Sequence, residues 1–464
     1  MNQQFFDDFG GLPLSKFEFM LKTNSVYFFD ANEFEEIILY YIDNGKFSLA
    51  NKAVQLGLRQ HPLSVDLKLV QAELLVLEEK FENAEKILNE LQEIEPANED
   101  IYIQKATIYS KKGVHKKAIA YLKIALEYSE EPSEIYSMIG MEYLYLDEFE
   151  MARENFAMCL DVEFDNYSTL YNVIYCFDMT EQHAEAVEYL ISYIEKDPYS
   201  EVAWHQLGRQ YFVLENYSKA LEAFEYAILI DDTFIGAHLE KAKTLEELNR
   251  LEEAIEYYGL TMELDTETPF AFLRIGKCYE GLGDLDKAIE FYHKTVNEDP
   301  LLDKGWLALT DIYMKKGMLD KAMHHIKKAL NIDEELPDYW NKLGEIYVKL
   351  NQLEAAAGSF QKSITLDPEQ LEVHLSLSDV LLISKDVSEA LLVLKEAKEI
   401  FKSDAEILFR IAGLNYLLGN KERSFYYLEK ALTINYAYQV ILQELFPDFL
   451  TNPTVQKLLK KYNK

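Results

Sequence analysis

Arg209, Lys243 and Lys277 follow one another at intervals of 34 residues, with Arg274 and Lys304 close by in the chain. Three cations at a fixed spacing could grip an acidic ligand; they are not a catalytic set. The remaining chemistry-bearing residues are scattered. Of nine histidines, one pair is adjacent, His324 and His325, and neighbours in sequence cannot share one helical face. No His-x3-His with an intervening Glu, no phosphate-cradling glycine loop and no Gly-x-Ser-x-Gly turn is present. The 81 acidic residues guarantee carboxylate pairs by chance alone. Cys159, Cys176 and Cys278 lack the clustering that a disulfide or a metal site requires, which makes them core residues of a protein from a reducing compartment. The chain is expected to be no enzyme and to hold no metal and no cofactor.

The spacing of the cations belongs to a longer pattern. Blocks of 34 residues begin at Ala31, Val65, Glu99, Ser133, Tyr167, Glu201, Ile235, Pro269, Asp303, Pro337, Leu371 and Ala405, without an insertion. The twentieth residue is Ala in eleven of the twelve blocks and Ser424 in the last, so a tight contact that admits only a methyl group recurs once per block. The twenty-fourth is apolar throughout, as at Phe156, Phe224, Tyr258, Tyr292 and Phe360. The fifteenth is Gly or Asn in seven blocks (Gly45, Gly113, Asn249, Gly283, Gly317, Asn351, Gly419), residues that tolerate a left-handed backbone at a helix end. Each block therefore predicts a helical hairpin, helix A, a tight turn and helix B.

Within the blocks, Trp204-x2-Leu207-Gly208-x2-Tyr211 with Ala220-x3-Phe224, and Trp340-x2-Leu343-Gly344-x2-Tyr347 with Ala356-x3-Phe360 and Pro368, closely resemble the tetratricopeptide repeat signature. Weaker copies depart from it: Phe34 and Ile38 in the first block, Asn415 and Ser424 in the last. The resemblance covers 408 of 464 residues. It implies an all-α fold, a right-handed α-solenoid or superhelix of about twelve 34-residue helix-turn-helix units. The expected organisation is an aromatic-rich N-terminal cap over residues 1–30, twelve repeats over 31–438 and a C-terminal helical cap over 439–464, in one continuous array.

Both ends carry capping signals. Asp30 and Glu33 have capping-box spacing, and a helix around Leu14–Lys22 precedes them. Phe5, Phe6 and Phe9 make the first segment unusually aromatic, so docking or self-association is an alternative to capping. At the other end Asn452-Pro453 reads as a helix start, and Lys457, Lys460, Lys461 and Lys464 favour the far end of that helix.

A net charge of −35 argues against nucleic acid and anionic membrane surfaces as partners. No basic start with an apolar core and no run of eighteen apolar residues is found, so neither a secretory signal nor membrane insertion is expected, and the expected location is cytoplasmic.

A turn of 100° per residue puts positions two, six, nine and thirteen of helix A opposite the core-facing positions, with position five at the border. The resemblance implies that this side lines a concave groove in which peptides or partner helices dock. Read along the blocks, it offers Met138, Met141, Tyr171, Asn172, Tyr175 and His205, then Arg209, Lys243, Arg274, Lys277 and Lys304, with acidic residues on either flank. The competing reading is a solvated charged face, with Glu240 and Glu246 at helical spacing to neutralise Lys243. The carboxylate clamp of some tetratricopeptide proteins does not fit, because Ala308, Leu273 and Lys277 stand at clamp positions. The functional expectation is a protein-binding scaffold or adaptor whose ligand joins an apolar anchor to an acidic run. The alternatives are a self-assembling homo-oligomer and a non-catalytic subunit of an enzyme complex.

Overall fold

All twelve residues at position fifteen of the period take a left-handed backbone. The five Gly and two Asn do so as their types predict, but Glu79, Asp147, Glu181, Glu215 and Lys385 do so as well, with φ between 55° and 68°. The reason lies in the turn. In every block the backbone N–H of position sixteen reaches the carbonyl of position eleven, as from Lys46 to Tyr41 (2.7 Å) and from Asn216 to Tyr211 (2.8 Å). That six-to-one closure needs one left-handed residue between the helices, whatever its side chain.

The computed structural model describes residues 13–23, 26–264 and 268–462. Among them are 28 α-helices, one 3-10 turn and no strand. Twenty-four of the helices form twelve consecutive A/B pairs, from Ala31–Asp43 with Phe47–Gln60 to Ala405–Leu417 with Lys421–Ile434. No helix among the described residues is long and apolar enough to cross a membrane. The chain divides into two compact units, Met1–Asp232 and Thr233–Lys464.

In the first unit, helix Pro13–Thr23 precedes six hairpins. Its Phe17 is fully buried against Phe29 and Phe34, with ring centroids 6.0 and 6.2 Å away, and so covers the apolar end of the first hairpin. The Asp30 backbone N–H donates to Glu33 Oε2 at 2.8 Å and completes the cap of the first repeat helix. Phe5, Phe6 and Phe9 lie outside the described residues.

In the second unit, six hairpins are followed by the 3-10 turn Tyr436–Gln439 and helices Val440–Leu445, Pro447–Leu450 and Pro453–Tyr462. Phe446, Phe449, Val455 and Leu459 from this tail are buried on the last hairpin. Lys461 donates to Glu429 at 2.8 Å, while Lys464 lies outside the described residues.

Hairpin packing explains the invariant positions. Every position-twenty alanine has no exposed surface. The last block's Ser424 is equally buried, and its hydroxyl donates to the Ala412 carbonyl at 2.8 Å, so the extra oxygen is accommodated. Asn415 is likewise satisfied, its side-chain amide donating to the Ile411 carbonyl at 2.8 Å. At Gly140, Gly208, Gly276 and Gly344 the position-eight residue lies against the aromatic ring of position twenty-four, Phe156, Phe224, Tyr292 and Phe360. Position four latches the helix to the loop before it. Trp204, Trp306 and Trp340 each donate their indole N–H to the carbonyl six residues upstream, at 2.8–2.9 Å.

Candidate functional site

The helix-A face of the first unit carries an apolar stretch over repeats four and five. Met141, Tyr171 and Tyr175 are 36, 40 and 48% exposed, and Met138 and Asn172 are half-buried beside them in sequence. Tyr145 and Met179, both at position thirteen, extend the stretch at 60 and 49% exposure. His205 departs from expectation: it is buried, its ring packed against Phe224 with centroids 5.9 Å apart. Position five of that repeat thus faces the helix-B residue Phe224, not solvent.

The first unit also concentrates negative charge on helix A. Burial, then repulsion from Asp66 and Asp100, raises the pKa of Glu35; burial, then Asp43 and Asp100, raises that of Glu73. Asp100 is raised by burial and by Glu99, Glu134 and Asp66.

The cations have unequal surroundings. Arg209, in the first unit, is exposed and, among the described residues, donates to the neutral Gln206 amide oxygen at 3.2 Å without an ion pair. In the second unit Lys243 is half-buried and paired with Glu240 at 2.8 Å. Glu246 does not serve Lys243: it binds Arg274, whose Nε donates to Glu246 Oε1 at 3.0 Å and to the Tyr258 hydroxyl at 3.2 Å. Arg274 is therefore an inter-repeat tie, not a free groove cation. The same position-six tie recurs twice, from Lys342 to Asp311 (3.1 Å) and from Arg410 to Asp379.

Lys277 and Lys304 are exposed and make no ion pair among the described residues. Lys277 opens into a depression of about 420 Å³ that spans helices A of repeats eight to ten, Thr268–Gly281, Asp303–Lys315 and Pro337–Lys349. Its lining includes Lys277, Lys315, Lys342 and Lys349 against Glu280 and Asp311, a local excess of two positive charges in a chain of net charge −35. Lys315 pairs with Glu280, whose other oxygen accepts the Tyr292 hydroxyl at 2.7 Å. Lys349 is exposed and without an ion pair among the described residues. Met314 and Ala308 give the depression an apolar floor. Lys315, Lys342 and Lys349 escape the sequence reading, which considers their positions but picks out the position-nine cations with Arg274 and Lys304. Positions six and thirteen of repeats nine and ten held the signal.

Comparisons with known proteins agree with this architecture. A model described as TPR repeat matches residues 311–351. Two models described as tetratricopeptide repeat match 99–132, 235–267 and 337–370, and 270–301. Three of these matches begin at block starts deduced from the period, at 99, 235 and 337. The TPR repeat-containing protein YpiA of Bacillus subtilis (strain 168) is 26% identical over 190 residues, 39% of this chain and 44% of that protein. The chain thus spans less than half the length of this relative. Similar solved structures include the APC/C hetero-tetramer Cut9–Hcn1, 15% identical, covering 94% of this chain and 90% of that one, with a TM-score of 0.38. YrrB, described as a TPR protein with an unusual peptide-binding site, is 16% identical over 43% of this chain and 99% of its own, with a TM-score of 0.33. The C-terminal part of a TPR repeat-containing protein from Cytophaga hutchinsonii is 17% identical over 55% of this chain and 99% of that one, with a TM-score of 0.45. With its period, its glycine–aromatic packing and these family matches, the chain is a tetratricopeptide repeat-containing protein.

Proposed function

Tetratricopeptide repeat proteins mediate protein–protein interactions, and we propose that this chain is a non-catalytic scaffold or adaptor whose second unit holds an acidic segment of a partner on its helix-A face. The observation that supports it most is the basic depression around Lys277, with two lysines that have no carboxylate partner among the described residues of an otherwise acidic chain. Adjacent packed helices lie about 8–10 Å apart, and an extended peptide advances about 3.3 Å per residue. An acidic residue at roughly every third position would therefore meet successive lysines. Exposed ion pairs contribute only about 0.2–1 kcal/mol each, so the ligand needs apolar contacts too. Met314 and Ala308 offer them in the depression, and Met141, Tyr171 and Tyr175 form a separate adaptable surface within the first unit.

The reading includes twelve repeats over 31–438 between caps at 1–30 and 439–464, and a reducing, cytoplasmic setting for three buried cysteines. Burial pushes the thiols of Cys176 and Cys278 up to about 11 and about 12, which keeps them unreactive. Native capture tests the proposal. Partners retained by the wild type and lost on Lys277→Glu/Lys349→Glu, at unchanged melting temperature, should carry acidic segments. An unchanged set of partners would overturn it.

A further inference from the structure

The opposite, helix-B face of the first unit holds a second opening. A crevice of about 480 Å³ lies between helices His183–Lys196 and Tyr217–Ile230, floored by Trp204, Leu207 and Tyr211 of the intervening helix Glu201–Val213. One repeat earlier, the corresponding crevice between Phe149–Val162 and His183–Lys196 measures only about 90 Å³.

Two positions of the period account for the difference. Position thirty-two is Phe164 in the narrow crevice, stacked on Tyr193 at 4.3 Å, and Pro198 in the wide one. Position twenty-three is Tyr189 in the narrow crevice and Ala223 in the wide one. Two bulky side chains that fill the first gap have become small in the second. The wide crevice is predominantly apolar, and its mouth carries Ile191 and Tyr226, 40 and 50% exposed, with Tyr226 stacked on Trp204 at 4.5 Å. Large aromatic side chains held open to solvent are the anchors that dominate protein interfaces.

The rim selects the occupant. Glu195 and Glu222 line the crevice, both are exposed, and neither makes an ion pair among the described residues. Among the described residues Lys219 is the one cation of the rim, and it sits 5.3 Å from the centroid of the Tyr211 ring. We infer that this crevice is a second protein-docking site, which takes a bulky apolar side chain from a partner segment that also carries Lys or Arg within one helical turn. The volume falls in the range of about 300–1,000 Å³ typical of ligand pockets. Amphipathic helices enter such grooves by their apolar face, and a cation within one turn of the anchor would meet Glu195 and Glu222 at the rim. The charge preference is opposite to that of the Lys277 depression.

The test is a random 15-residue peptide display library selected on the full chain, with each clone then titrated against variants. Ala223→Tyr restores the filling residue of the narrow crevice. Glu195→Lys/Glu222→Lys alters only exposed positions. Clones that combine a bulky apolar residue with Lys or Arg three or four positions away should be enriched. They should bind Ala223→Tyr at least tenfold more weakly and the charge-reversal variant about fivefold to tenfold more weakly, while Lys277→Glu leaves them unchanged. Absence of such clones, or equal binding to the wild type and the charge-reversal variant, would overturn the inference. If Ala223→Tyr melts at a lower temperature, the charge-reversal variant decides alone. Clones lost on Lys277→Glu instead belong to the basic depression and report on the proposed function separately.

Discussion

Gly208 lies directly beneath the ring of Phe224, and a methyl group added to it would stand 2.5 Å from the nearest ring carbon. Gly140 meets Phe156 in the same way, at 2.6 Å. Helix A and helix B of these repeats approach as closely as they do because one side contributes no side chain and the other contributes an aromatic ring. At Ala72, Ala106 and Ile174, where position eight is larger, position twenty-four is Leu88, Leu122 and Leu190, whereas Ala242 shares its block with Tyr258 and departs from this pattern.

Gly208→Ala should therefore destabilise the chain by about 1–3 kcal/mol through overpacking. Gly259 and Gly358 sit in helices with nothing within 4 Å of the position a Cβ would take. Alanine there should stabilise by about 0.5–1 kcal/mol through helix propensity alone. Urea unfolding of the three variants measures both signs. A Gly208→Ala variant as stable as the wild type would contradict the packing scheme.

The inter-helix turns give a second test. Glu215 and Lys385 hold φ of 57° and 68°, a conformation that costs an L-residue about 1–2 kcal/mol relative to the right-handed region. Glycine at either position should raise stability, by about 0.5–1 kcal/mol once its unfolded-state entropy is counted. Gly317→Ala, at φ 71°, should lower it by about 1 kcal/mol. The same denaturation midpoints provide the readout.

Acid should act on two groups in opposite directions. Burial, with Asp43 and Asp100 nearby, raises the Glu73 pKa above its usual 4.5, so the folded chain binds a proton there more readily than the unfolded chain. That group's destabilising effect is present at neutral pH and disappears as pH falls through the raised value. Glu73→Gln should raise the melting temperature at pH 7, with the gain shrinking toward pH 4.5. Burial, followed by His293, His324 and Lys321, lowers the His325 pKa from 6.5 to about 4. Its neutral, ring-stacked form stabilises fully above pH 6.5, and that contribution is lost as pH falls toward 4. His325→Phe, in the stack with Trp306 and Tyr313, should flatten the decline over that window. Melting curves from pH 4 to 7.5 for the two variants and the wild type measure both.

The position-six ties should behave as one unit. The Arg410 side chain is 11% exposed and bridges Asp379 with Glu406. Arg410→Met leaves Asp379 partly buried without its cation and should cost about 2 kcal/mol, while Arg410→Met/Asp379→Leu should recover most of that loss. A double-mutant cycle by urea denaturation reads the coupling. Additive losses would show that the pair does not act as a tie.

The hairpin fold was legible in the sequence because a methyl-sized contact at position twenty and a left-handed turn at position fifteen constrain residue type directly. The left-handed Glu79, Asp147, Glu181, Glu215 and Lys385 show the limit of that logic: their types give no hint, and only their register does. For the candidate residues, exposure alone bears on the sequence reading, and it agrees in part. Lys277 and Lys304 are accessible, but His205 turns inward and Arg274 binds Glu246 of the preceding repeat. Contacts of this kind depend on which side chains meet between helices, within a repeat for His205 and between repeats for Arg274, a distance that periodicity within one helix does not encode. The crevice beside Ala223 was invisible for a related reason. It arises from two small residues, Pro198 and Ala223, that lie 25 positions apart and matter only together.

The central claim is that the Lys277 depression binds acidic segments. It is tested most directly by fluorescence anisotropy with a labelled peptide that carries Glu at every third position beside a Phe–Leu anchor. Reversal of two exposed cations, at about 0.2–1 kcal/mol per pair with repulsion added, should weaken binding to Lys277→Glu/Lys349→Glu by about fivefold to thirtyfold. The wild-type affinity should fall as salt rises, and the variant's should not. Equal affinity of the two proteins for the peptide at low salt would contradict the account.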